Sequence, residues 1–310
     1  MTIGQTQKRK KSLWSMLYRQ RFLYLLFLPG AAYFIIFKYA PMFGVLIAFQ
    51  NYNIFNGFFG SEWVGLKNFE SFFANPICWR LIKNTLFINI YLLLWGFPAP
   101  ILLALMINEV RNNFTKRFVQ TVSYLPHFIT TVIIVGIVTD AMSPSTGAIG
   151  KLLNAILNKE IIFMSDAAWF RRIYVTADIW RGIGWGTIIY LAALSGVDVA
   201  LYEAAMIDGA GKLKRMWYIT IPCIVPTIII VLILRMGSML SVGFETVYLM
   251  QTPLNTATSE VLSTFVYKRG LSGGQYSYGA AVDLFNSIIG FLLLVSVNKI
   301  SSKVGETSLW

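Results

Sequence analysis

Between Lys83 and Glu109 the chain runs for 25 residues without a charged side chain, and between Arg117 and Asp140 for another 22. A helix needs about 20 apolar residues to cross the hydrocarbon core of a bilayer. Only helices and closed barrels satisfy their backbone groups there. Runs of this length are too long for transmembrane strands and dictate an all-α integral membrane protein. Four weaker segments bring the expected transmembrane helices to six. They are about 22–45, interrupted by Lys38 and Pro41; 173–197, carrying Asp178 and Arg181; 219–242, carrying Arg235; and 278–298, carrying Asp283.

Composition agrees. Only 13% of the 310 residues are charged against 56% hydrophobic, where a soluble domain has about 25% charged. The net charge of +12 does not point to nucleic acid, because the cations sit in short clusters between apolar runs with no stacking motif beside them. With an inside N-terminus, fourteen Lys and Arg fall in the inner segments, nine fall outside and three lie within spans. The inner loops are also the short ones, where this bias is most informative. Both termini are therefore expected in the cytoplasm, as is the segment between the fourth and fifth spans. The basic start, Lys8 to Lys11, leads at Phe22 into an apolar stretch too long for a cleaved signal.

Cys78 and Cys223 offer no metal spacing, and His127 is the only histidine. Neither a metal site nor a catalytic set is expected. The chain contains no phosphate-binding GxxxxGK[ST] loop, so it is not expected to hydrolyse ATP by itself.

The segment YEAAMIDGAGKLKRMWYITIP, residues 202–222, interrupts this apolar pattern with Glu203, Asp208, Lys212, Lys214 and Arg215. Residues 199–208 read as a short helix of about 15 Å, broken at Asp208-Gly209. Helix resumes over 212–218 into the fifth span. Ala204 and Ala205 leave room for another protein's surface to approach. An amphipathic turn lying on the inner leaflet would have the same composition.

The spacing is specific: Glu203-Ala204-Ala205, then Gly209, then Ile219, Ile221 and Pro222, with Asp208 and Ala210 flanking the glycine. It resembles the EAA loop of ABC importer permeases, with isoleucine for leucine at 221. LFLPGAAYFIIFKYAPMFGVLIAFQNYN and WVGLKNFE likewise resemble the first span and outer segment of MalF/UgpA-type sugar permeases, in particular the LplB-like branch. The resemblance implies a basic tail over 1–21, a first span and outer segment over 22–80, a type-1 permease core over 81–299 and a tail over 300–310. It implies a coupling helix that docks on a cytosolic ATPase through Glu203, Ala204, Ala205, Asp208, Gly209, Ala210, Ile219 and Pro222. The implied partners are a second, related permease, an ATPase dimer that uses ATP and Mg, and an extracytoplasmic solute-binding protein. The implied cargo is an oligosaccharide and the implied location a bacterial cell membrane; the chain itself would bind no cofactor.

Polar residues within spans face a bundle interior or an aqueous path. Arg181, Trp185, Tyr190, Arg235, Asp283 and Asn286 are the candidates for a substrate path, with Asn84 and Asn89 as weaker ones. The structural alternatives stand beside each: Arg181 pairing with Asp178, Arg235 with Glu245 or Asp283, and the aromatics facing lipid. An arginine near the path would suit an acidic sugar. Residues 143–172 include a helical pattern with Ile149, Leu152, Leu153, Ile156 and Leu157 on one face, suited either to a binding protein or to the membrane interface; 252–279 is a second outer loop. Pro98, Pro100, Pro126, Pro222 and Pro226 are expected to kink spans or to end them. An ion-coupled secondary transporter is the alternative class, but it would show inverted repeats that this sequence lacks. A membrane enzyme lacks the clustered acids or histidines it would need.

Overall fold

The computed structural model describes residues 20–237 and 242–304. The expected tails fall largely outside these residues. Among the described residues four helices are each long and apolar enough to cross a bilayer, and the number is six when each of two bent pairs is taken as one span. The first is α1 (Arg21–Phe49), followed by a two-strand hairpin, β1 (Gln50–Asn51) antiparallel to β2 (Glu62–Trp63), and by α2 (Lys67–Ala74). The second span is α3 (Cys78–Glu109). Then come α4 (Asn113–Phe128), α5 (Thr131–Ala141), the short α6 (Ala148–Leu157) and α7 (Ala167–Ser195). Beyond α7 lie α8 (Val199–Ile207), α9 (Lys212–Gly237), α10 (Phe244–Met250) and, after a helical segment over 262–272, α11 (Tyr276–Val304).

Side-chain caps start several of these helices. Asn112, Asp166 and Asp198 accept backbone N–H bonds from Phe114 (2.8 Å), Ala168 (2.7 Å) and Ala200 (2.9 Å), occupying donors the first helical turn leaves free. Three π-turns interrupt the spans, at Ile35–Tyr39, Leu92–Gly96 and Met216–Thr220. Each lies just before a proline: Pro41, Pro98 and Pro222. Proline has no N–H and its ring crowds the carbonyl four residues back, so the widened turn takes up the conflict.

The third span departs from expectation. It is not one helix over 118–139 but α4 and α5, bent by 104°. Pro126 lies in a 3-10 turn at the end of α4, and Ile129 and Thr130 are extended. The uncharged run spans the break, and α5, eleven residues long, is only about 16 Å and cannot cross alone. Other boundaries shift too. The fourth span starts at Ala167 rather than near 173, because Asp166 caps it. The fifth starts at Lys212 rather than near 219 and is described as far as Gly237; residues 238–241, over which its expected end runs, lie outside those described, and Val242 beyond them is buried in the core.

α7 is the axis of the bundle, packed against α3, α4, α9 and α10. Close backbone approach makes this possible. A β-carbon on Gly184 would lie 2.0 Å from the Ser123 carbonyl oxygen on α4, and one on Gly186 would lie 2.9 Å from the Pro100 ring on α3. Membrane helices gain no hydrophobic drive from leaving lipid, so small residues at crossings set how tightly they pack. The first span is peripheral: Arg21–Phe34 contains no buried residue, and only the far part of α1, Ala40–Phe49, lies along α11.

One end of the bundle carries the loops and is stapled by buried amides. Asn84 donates to the carbonyls of Ala257 (3.0 Å) and Glu260 (2.9 Å), and Asn255 donates to that of Met164 (2.8 Å). The Glu260 carboxylate pairs with Arg80 at 3.2 Å and Lys268 at 3.8 Å. The opposite end carries α8.

Candidate coupling site and translocation path

α8 leaves the fourth span at an angle of 72°. None of its nine residues is buried. Glu203 and Ala204 are exposed, Ala205 is partly so, and Val199, Leu201, Met206 and Ile207 present apolar surface beside them. A helix that buries nothing in its own chain has its apolar side chains available to another surface.

The helix ends in a Schellman cap. The Ala210 N–H reaches the Ala205 carbonyl at 2.8 Å and the Gly209 N–H reaches that of Met206 at 3.1 Å, with Gly209 at φ +74°. That conformation is open to glycine and strained for other residues except, mildly, Asn and Asp. The role of Gly209 is thus conformational: a β-carbon there would meet nothing within 4 Å. Asp208 occupies the cap position and Gly211 starts α9 in extended backbone. Lys212, Leu213, Lys214, Trp217 and Tyr218 are exposed around this corner.

One bond ties α8 back to the bundle. The hydroxyls of Tyr202 and Thr220 lie 3.0 Å apart, and Thr220 is 2% exposed at the foot of α9. Ile219, directly before it, is partly buried, and Pro222, two residues after it, is exposed. α8 is therefore attached both to α7, through the turn at Gly196–Asp198, and to α9, through Thr220. Tyr202 and Thr220 lie inside the quoted segment, but nothing in the sequence marks two residues 18 apart as partners.

The path candidates divide into groups. Arg181 donates to the Thr131 hydroxyl at 3.0 Å, across the break of the third span. Asp178 lies within electrostatic reach of both Arg235 and Arg181, and the Arg235 guanidinium lies near Gly96 on α3. Trp185, half-exposed, stacks on His127 with ring centroids 4.5 Å apart, filling the corner that Pro126 opens. Tyr190 is 2% exposed and packed among Ala104, Leu105, Leu194 and Ile224. Asp283 and Asn286 are apart from these on α11, the first exposed and the second half-buried. Asn84 and Asn89 are buried. α6 forms where its periodicity places it, yet Ile149, Leu152 and Ile156 are exposed rather than packed on the bundle.

Arg171 and Arg172 were expected in an outer loop and instead stand in the first turns of α7. Arg171 donates to the Asn84 side-chain oxygen at 2.8 Å and lies over the Phe87 ring; Arg172 lies over Trp169. The signal that would have placed them is Asp166, a helix-capping residue directly before Ala167-Ala168.

A sequence model of the family described as binding-protein-dependent transport system inner membrane component matches residues 96–303. LplB of Bacillus subtilis (strain 168) is 49% identical, over 94% of this chain and 92% of that protein. The polygalacturonan/rhamnogalacturonan transport system permease YteP of the same organism is 45% identical, over 99% of this chain and 96% of its own length. Among solved structures, a chain of a bacterial ABC transporter involved in import of the acidic polysaccharide alginate is 40% identical, with a TM-score of 0.88 over 95% of this chain and all of that one. These matches, together with six apolar spans and an exposed helix between the fourth and fifth, show that the chain belongs to the inner membrane components of binding-protein-dependent transport systems, as a permease and not an enzyme.

Proposed function

We propose that this chain is one of two related permease subunits in an ATP-driven importer of oligosaccharides, lying in a bacterial cell membrane with both termini in the cytoplasm. An extracytoplasmic binding protein delivers the sugar, and an ATPase dimer that uses ATP and Mg closes against α8. The observation that carries this reading is α8 itself: nine residues, none of them buried, turned 72° out of a span and fixed by a glycine cap. A rigid short helix at a fixed angle transmits a push, and its attachments to α7 and α9 lead that push into the bundle. Closing of the ATPase would then bias the spans between two arrangements, with substrate biasing them from the other end. Two similar proteins named for acidic polysaccharides favour an acidic oligosaccharide as cargo. Asp178, with Arg181 and Arg235 near it, is the polar centre such a path would pass.

Purification of the tagged chain from mild detergent tests the reading. The native chain is expected to bring down an ATPase and a second permease. The double variant Glu203→Ala, Gly209→Pro is expected to keep the permease and lose the ATPase. Recovery of the chain alone, with solute transport in vesicles that lack ATP, would favour the ion-coupled alternative.

A further inference from the structure

Beside the polar centre lies a second feature with the chemistry of a binding site. A cavity of 590 Å³ opens between α3 and the first half of α7, lined among others by Tyr91, Trp95, Arg171, Arg172 and Thr176. Its size falls in the range of about 300–1,000 Å³ usual for small-molecule sites.

Its cations are held but not neutralised. Arg171 is half-buried, and its polar contacts are the Asn84 amide oxygen at 2.8 Å and the Phe87 ring face, 5.0 Å from the guanidinium carbon. Its Nε is buried with no hydrogen-bond partner. Asn84 also donates to the Glu260 carbonyl, and the carboxylate of that residue is engaged by Arg80 and Lys268. Arg172 is exposed and lies 5.0 Å over Trp169. A charge taken out of water costs several kcal/mol unless an opposite charge meets it, so the half-buried Arg171 guanidinium favours an anion from outside the chain, and exposed Arg172 beside it on the same cavity adds a second positive charge. Arginine meets a carboxylate through two parallel hydrogen bonds, and both side chains here are already oriented by neighbours, which lowers the cost of binding.

The rest of the lining suits a sugar. Tyr91 and Trp95 are one helical turn apart on α3 and so share a face, with Trp95 66% exposed. Flat aromatic surfaces take the C–H faces of pyranose rings, and Thr176 adds a hydroxyl. We infer that this cavity is a subsite for the carboxylate of a uronic acid residue, with Arg171 and Arg172 as its ligands and Trp95 as its stacking surface. The inference rests on the importer reading and names the group on the cargo that this subunit selects.

The test uses the whole importer, this chain with its second permease, ATPase and binding protein, in proteoliposomes, and measures ATP-driven uptake of trigalacturonate and galactotriose. Arg172→Gln is expected to raise KM for trigalacturonate about tenfold, the loss of a hydrogen bond to a charged group, with the maximal rate unchanged. Arg171→Gln is expected to do at least as much, and Arg171→Lys to recover part of the loss. An unchanged KM in Arg172→Gln, or a fall in maximal rate alone, would overturn the assignment. A native importer that carries galactotriose but not trigalacturonate would overturn it and leave the importer reading standing. Uptake that needs no ATP would remove both.

Discussion

Gly184→Ala is expected to leave no correctly folded protein in the membrane, whereas Gly182→Ala, on the same helix, is expected to behave as the native chain. The β-carbon at 184 would lie 2.0 Å from the Ser123 carbonyl oxygen and 2.3 Å from its carbon. Backbone atoms cannot turn aside as a side chain does. Relief requires α4 to shift away from α7, which also disturbs the neighbouring corner where His127 stacks on Trp185. One extra methylene in a packed core costs about 1–3 kcal/mol when side chains can adjust; here the obstacle is the chain itself, and the cost exceeds that range. At Gly182 a β-carbon meets nothing within 4 Å, and alanine is favoured over glycine in helices by about 1 kcal/mol. Size-exclusion profiles of the two variants extracted in mild detergent decide the matter. Matching profiles would show that the crossing of α4 and α7 is looser than described.

The second large effect falls on transport rather than folding. Gly209→Val is expected to assemble with its partners but lose most ATP-driven uptake. A non-glycine residue in the left-handed region costs about 1–2 kcal/mol, equivalent to about a five- to thirtyfold shift between conformations. The cap that fixes the end of α8 relies on that region at Gly209. Gly209→Asn should retain most uptake, because asparagine tolerates this conformation. Gly211→Val, at a glycine with φ −67° and ψ 168°, should retain it fully. Equal losses at 209 and 211 would mean that space on the partner, not backbone conformation, sets the requirement.

Much of the architecture was legible because lipid leaves few options. Runs of 25 and 22 uncharged residues force helices, and the charged interruption at 202–222 had to lie outside the hydrocarbon. α8 is legible to within a residue of its observed ends because 199–207 are mostly good helix formers and Asp208-Gly209 breaks the run. What escaped depended on distance in the sequence. The break in the third span has a local cause in Pro126, but a proline within a span is compatible with a kink, a hinge or a break, and only packing decides. Gly184 and Ser123 are 61 positions apart, and a single glycine in an apolar run does not say which backbone passes over it. Arg171 and Arg172 were assigned to a loop because charge alone suggested solvent, although their long side chains are carried by the first turns of a span. Their partners, Asn84, Phe87 and Trp169, are mostly on another helix. The first span is legible from its apolar run, but its lack of buried residues over Arg21–Phe34 follows from neighbours that composition does not reveal.

On the importer reading α8 is the surface on which the ATPase acts. The most direct measurement attaches benzophenone maleimide to a cysteine replacing Ala204, in a chain whose exposed Cys223 is replaced by serine, and irradiates the assembled complex with and without ATP. A cysteine replacing exposed Lys151 on α6, in the loops at the other end of the bundle, serves as the control. Ala204→Cys is expected to cross-link to the ATPase, with a yield that changes on adding ATP, and Lys151→Cys is expected not to. Cross-linking to the ATPase from Lys151→Cys, or from neither position in a complex that still transports, would contradict that role of α8.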